Sequence, residues 1–202
     1  EHLGLKGPES SRKEWLFMFY LLIAIAAASR FLPHPPNVAC VTALGLFAGC
    51  YLSGPRAYLV PLAVLAGSDL LGQSLGIPGM GLYSPLAMGF VYAGTLAAIP
   101  VGRWISKRQG KLRVVGGALL ASCLFFLVSN LGVWAAGWYP MTLAGLAACF
   151  TNAIPFFGYS VVGDLCFSML LFGAWEWVGV GFDLKRPATA TSRPATATSR
   201  LS

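Results

Sequence analysis

Between Trp15 and Val178 the chain is a succession of apolar runs, broken only by short stretches rich in Pro, Gly and basic residues. A helix needs roughly 20 mostly apolar residues to cross the hydrocarbon core of a bilayer. Inside lipid, backbone polar groups must be bonded within the spanning structure, so runs of this kind fold as helices. Of the 202 residues, 56% are hydrophobic and only 10% are charged, well away from an ordinary soluble domain. The expected architecture is all-α, a polytopic membrane helix bundle. Residues 1–13 read as a polar lead-in, 14–178 as the transmembrane domain and 179–202 as a basic low-complexity tail. In that tail Arg-Pro-Ala-Thr-Ala-Thr-Ser is written twice. It has no apolar seam, and its composition predicts disorder until a partner or an acidic lipid surface orders it. Residue 1 is Glu rather than Met, so one expectation is a tag, signal or transit peptide removed ahead of it.

Six crossings are expected. The first runs from Trp15 to about Phe31 and stops at "RFLPHPPN", where Pro33, Pro35 and Pro36 lack the donor and the backbone freedom to continue a helix. The others cover Val38–Leu52, Arg56–Leu75, Tyr83–Ile105, Leu112–Asn130 and Ser160–Val178. Met141–Ile154, bracketed by Pro140 and Pro155, is short for a crossing and reads as one short interfacial helix between the fifth and sixth. Charge supports this count, because Lys and Arg concentrate on the cytoplasmic side of a membrane. With both termini inside, every Lys and Arg except Arg30 falls on the inner side, and a seventh crossing would move four C-terminal basic residues out. The positive side is then cytoplasmic, stromal or matrix, in a bacterial inner membrane or an organelle membrane such as the thylakoid. The net charge of +7 does not point to nucleic acid, since the basic residues sit at segment ends rather than in a stripe with interleaved aromatics.

This topology assigns a depth to each polar residue. Arg30, His34 and Asn37 lie at the outer end of the first crossing, Asp69 in the outer half of the third, Asn130 and Trp134 at the outer end of the fifth, Asn152 in the interfacial segment, and Asp164 about one turn into the sixth. Ionisable residues inside a membrane are costly and mark sites by default, with a partner to be named. Two readings follow. In one, Asp69, Asp164, Asn130 and Asn152, with Trp134, Trp138 and Tyr139, form an outward-facing pocket for a small polar or cationic solute. In the other, Arg30 pairs with one aspartate and the other carboxylate bonds to backbone, fixing the bundle. His34 is a lone histidine between prolines, and a zinc site needs three or four convergent ligands. It reads as a loop hydrogen-bonding residue, with a pigment magnesium as its alternative partner in a photosynthetic assembly. No metal or cofactor is otherwise indicated, although a pigment or lipid would accompany that setting. Cys40, Cys50, Cys123, Cys149 and Cys166 are scattered through apolar runs without a paired spacing, as small buried hydrophobes are.

Small residues recur at four-residue spacing: Ala24 and Ala28, Gly45 and Gly49, Gly89 and Ala93. Such spacing lets helices approach closely in lipid, within the bundle or against a partner membrane subunit. No nucleophile elbow, Walker loop, zinc-protease or dinucleotide motif occurs, so catalysis is not expected.

"RFLPHPPN", "PLAVLAGSDLLG", "FFLVSNLGVWAAGWYPMTLAGLAACFTNAIPFF" and "GDLCFSMLLFG" resemble an uncharacterised family of small integral membrane proteins, mostly bacterial, labelled as candidate transport proteins. The resemblance runs from about Arg30 to Gly173. That family is in turn similar to the substrate-capture (S) components of energy-coupling factor transporters, which are six-helix proteins with an outward-facing site. The likeness implies a solute-binding role, with Ala24 and Ala28 matching the small-residue spacing that meets the coupling subunit, and partner ATPases supplying energy. The alternative is a non-catalytic accessory subunit of a larger membrane complex, for example a photosynthetic or respiratory assembly in an organelle.

Overall fold

The computed structural model describes residues 9–32, 38, 40–77, 80, 83–107 and 110–184, with the backbone alone at 9–12, 15 and 178–184. The described chain is all α-helical. In order, the helices are α1 (Glu9–Ala28), α2 (Val41–Tyr51), α3 (Arg56–Ser74), α4 (Pro85–Leu96), α5 (Ala98–Ser106), α6 (Lys111–Ala135) and α7 (Leu143–Leu184), with a 3-10 turn at Ser29–Phe31 closing α1. His34, Asn37 and the whole of the tail repeat lie outside the described residues.

Three stretches have the length and composition to cross a bilayer: Pro85–Ser106, taking α4 and α5 together, Lys111–Ala135 and Leu143–Trp177. Leu16–Phe31 and Val41–Tyr51 are apolar but shorter. The outer surface carries large apolar side chains in quantity, among them Leu112, Leu143, Leu170, Leu59 and Trp177. Exposed apolar cover on this scale suits lipid rather than water.

α2 forms the centre. It is buried from Val41 to Gly49 and is enclosed by α3, α5, α6 and α7. Its two glycines explain how a helix can sit so deep. A Cβ on Gly49 would stand 2.4 Å from the Ile99 carbonyl oxygen, and one on Gly102 of α5 would stand 2.2 Å from that of Leu46. The α2 and α5 backbones therefore touch, and Gly45 and Gly49 serve internal packing. Ala24, Ala28, Gly89 and Ala93, by contrast, are exposed. Toward the end of α2, Phe47 stacks on Phe19 with ring centroids 5.0 Å apart, and Trp175 closes the cluster edge-on against both. Basic residues mark the same end of the bundle. The Arg103 guanidinium lies over the Tyr58 ring and that of Arg113 over Trp104, each 5.0 Å from the centroid.

Four features depart from the pattern expected of the sequence. No separate interfacial helix forms: residues 143–154 run through Pro155 into one helix of 42 residues. Proline removes a single backbone bond, a loss that apolar surroundings tolerate where neighbouring groups compensate. The fourth apolar segment is divided at Ala97, because the ring of Pro100 crowds the carbonyl of Leu96 four residues earlier. α1 opens at Glu9, inside the expected polar lead-in, and α7 continues past Val178 to Leu184. α2 starts at Val41, later than the expected Val38. The start of α4 is set locally: the Ser84 hydroxyl accepts from the Ala87 amide at 3.4 Å and Pro85 occupies the first turn.

Candidate functional site

The ionisable residue that ends the first apolar run turns inward. The Arg30 guanidinium donates to Asp69 Oδ1 of α3 at 2.8 Å, to the Leu65 carbonyl at 3.3 Å and to the Ser68 hydroxyl. Tyr92 of α4 donates its phenol proton to the other carboxylate oxygen, Asp69 Oδ2, at 3.1 Å. Both oxygens of Asp69 are thus engaged, and the paired side chains are only 12% and 8% exposed, which makes this a desolvated pair rather than a surface one. Of the two aspartates expected to meet Arg30, it is Asp69 that does. Nearby, Tyr83 precedes α4 and stacks at a tilt on Trp138. Partial shielding there, then the Asp69 charge, raises its phenol above the ordinary tyrosine range.

Asp164 lies elsewhere. Its carboxyl, on α7, is hydrogen-bonded to Ser122 of α6, with Oγ 2.6 Å from Oδ2, and the Thr42 hydroxyl at the start of α2 faces it as well. The residue is 2% exposed. No ion pair to it occurs among the described residues. Its depth differs from the expected position near the outer end of the last crossing. Ser122 lies near the middle of α6, about 17 Å from its start at Lys111. The carboxylate therefore sits near mid-height of the bundle. The Asp69 cluster lies farther toward the Ala135 end of α6, because Gly94 of α4 abuts Phe125 and Gly132 of α6 abuts Phe90, which places Tyr92 beyond the level of Ser122.

A third group caps the α6–α7 hairpin. Trp134 Nε1 donates to the Pro140 carbonyl at 3.0 Å, and the Asn152 amide donates to the Tyr139 hydroxyl at 3.3 Å. The Asn130 side-chain amide bonds within its own helix, to the Phe126 carbonyl at 2.8 Å, while the Asn130 backbone carbonyl accepts from the Cys149 thiol at 3.5 Å. The residues expected to share one pocket thus fall into three groups at different depths, and no hydrogen bond or ion pair joins Asp69 to Asp164 among the described residues. The partners Ser68, Tyr92, Ser122 and Thr42 were not singled out in the sequence. Their hydroxyls stand in apolar runs, and only helix pairing reveals which ones face a carboxylate.

The described residues hold no cluster of three His, Cys, Asp or Glu suited to a metal ion. Residues 10–189 match a family described as a family of unknown function, DUF6580. The chain belongs to this family. The DUF6580 match takes in all three polar groups, Asp69 and Asp164 included, and leaves most of the tail repeat outside. Neither the curated proteins nor the solved structures contain a match to the chain.

Proposed function

We propose that this DUF6580 protein is a non-catalytic integral membrane protein of six crossings, with both termini on the positive side, that binds a small polar solute entering from the outer face. The observation that carries this reading is the graded polar series inside an otherwise apolar bundle. Asn152, Tyr139 and Trp134 stand at the hairpin mouth, Arg30, Asp69 and Tyr92 farther in, and Asp164 at mid-height. Intramembrane ionisable groups mark solute and ion paths more often than chance would place them. α1, α2, α3, the α4–α5 pair, α6 and α7 alternate in direction under this topology, and the Lys and Arg at the starts of α3 and α6 and the end of α5 meet the positive side. The likeness to S components supports the solute-capture role and implies partner ATPases in the same membrane.

Thermal shift of the purified protein against a panel of vitamins, cations and purines tests the proposal. Stabilisation by one solute class, lost in Asp69→Asn or Asn152→Ala, is the expected result. If no solute stabilises the protein and the substitutions alter only folding, the solute reading fails.

One observation favours the second reading, an accessory subunit of a larger membrane complex. Ala24 and Ala28 are exposed on α1 beside Phe17, Leu21 and Ile25, a face whose small residues suit close approach of a partner helix. Native gel migration of solubilised membranes decides it, since a protein found solely as a free monomer is no such subunit.

A further inference from the structure

Among the described residues, Asp164 is the buried carboxyl that the ion pair at Arg30 leaves unbalanced. Its surroundings can be stated element by element. From α6 the facing group is the Ser122 hydroxyl. From α2 it is the Thr42 hydroxyl, with the Cys40 thiol near enough to feel the carboxylate charge. Arg30, at the end of α1, is committed to Asp69, Ser68 and Leu65. α7 itself adds Ser160 one turn before and Ser168 one turn after, both buried on the same face. The groups that face the carboxyl are thus hydroxyls and a thiol, and among the described residues no cation is aimed at it. An isolated buried carboxylate in a low-dielectric medium neutralises rather than remain bare.

The hydrogen-bond geometry indicates how. Ser122 Oγ is 2.6 Å from Asp164 Oδ2 and 3.0 Å from the Ala118 carbonyl one turn back on α6. A hydroxyl has one proton to donate. If the carboxylate is ionised, Ser122 spends that proton on Asp164 or on Ala118, and only one of the two contacts is a hydrogen bond. If Asp164 carries a proton, it donates to Ser122, and Ser122 donates on to Ala118, so both contacts become hydrogen bonds. Ser168 Oγ, one turn along the same face of α7, is buried without a hydrogen-bond partner among the described residues, so it does not supply a proton to the carboxyl.

We propose that Asp164 and Ser122 form a proton-binding site at mid-height of the bundle, whose ligand is a single proton held on Asp164 at neutral pH. Releasing it leaves a bare charge in the seam where α7 packs on α2 and α6, so occupancy of the site governs how tightly that seam closes. The inference rests on the membrane-spanning arrangement and not on a solute pocket, and a failed solute screen leaves it standing.

The chain contains three aspartates, Asp69, Asp164 and Asp183, so labelling aspartate carboxyl carbons with a heavy isotope isolates the signal. In lipid nanodiscs at neutral pH, the isotope-difference infrared spectrum should contain the carbonyl stretch of a protonated carboxyl. That band should disappear in Asp164→Asn, persist in Asp69→Asn and move to higher frequency in Ser122→Ala, which removes one hydrogen bond and keeps the carboxyl. The Ser122 variant keeps the test decisive should Asp164→Asn not fold. No protonated band at neutral pH, a band that survives Asp164→Asn, or one that is unmoved in Ser122→Ala overturns the proposal.

Discussion

Replacing Arg30 with Gln removes one half of a desolvated ion pair. The side chains of Arg30 and Asp69 are 12% and 8% exposed, so little solvent is on hand to screen the charge left behind. Arg30→Gln takes from Asp69 its 2.8 Å partner and from α3 two further donors, to Leu65 and Ser68. Breaking a buried pair by removing one partner costs about 3–5 kcal/mol, most of it the penalty of an uncompensated charge. Tyr92 still donates to Asp69 Oδ2 at 3.1 Å, so the expected loss is at the lower end, about 3 kcal/mol. Asp69→Asn should cost a similar amount, since it strands the guanidinium instead. The double variant buries two neutral amides and should lose less than the two single losses summed, with a coupling of about 2 kcal/mol, inside the range for residues sharing one network. Denaturant unfolding in mixed micelles, followed by tryptophan fluorescence, measures all four corners of this cycle. Single losses within about 0.5 kcal/mol, or a double variant equal to the sum of the singles, would refute the claim that this pair pins α1 to α3. A lid with no structural role would instead leave the midpoint in place and lose solute stabilisation.

Two further outcomes follow from the packing and the hairpin. Gly49→Ala drives a methyl group into the Ile99 backbone and should lower stability by about 1–3 kcal/mol, the usual range for overpacking. Gly89→Ala meets nothing within 4 Å and should be neutral or raise the thermal midpoint, since alanine is favoured in a helix by roughly 0.5–1 kcal/mol. Thermal scans of the two side by side check the pair, and equal losses would contradict the close approach of α2 and α5. Trp134→Phe removes the 3.0 Å bond to the Pro140 carbonyl while keeping the ring. It should cost about 1 kcal/mol, read by the same unfolding assay, and a neutral result would mean that this bond does not hold the hairpin.

The apolar runs make the helical class readable from sequence, because their length and composition admit little else. The ends of the helices are less legible, for a physical reason. Pro140 and Pro155 look alike in sequence, yet Pro140 precedes a helix while Pro155 lies within one, since the missing bond is tolerable where the rest of the helix packs well. Pro100 divides a helix that composition alone would run through. Among the candidate residues, Arg30 and Asp69 could be matched by charge and depth. Their third member, Tyr92, could not, because a tyrosine in an apolar run has no sign that favours one neighbour over another. The depth of Asp164 is hard to read from sequence for a related reason. Starting the last crossing at Ser160 puts this residue near a membrane edge, whereas a helix that begins at Leu143 carries it to the middle.

The order of the polar groups from outer mouth to mid-height has meaning only within the six-crossing arrangement. Single cysteines at Ser53, Ser74, Lys107, Met141 and Glu176, introduced after the five native cysteines are replaced, can be probed in sealed, oriented membranes with an impermeant thiol reagent. Six crossings predict labelling of Ser74→Cys and Met141→Cys from the outer face alone, and of Ser53→Cys, Lys107→Cys and Glu176→Cys from the positive side alone. Labelling of Met141→Cys and Glu176→Cys from the same face would contradict that arrangement, since α7 would then not cross.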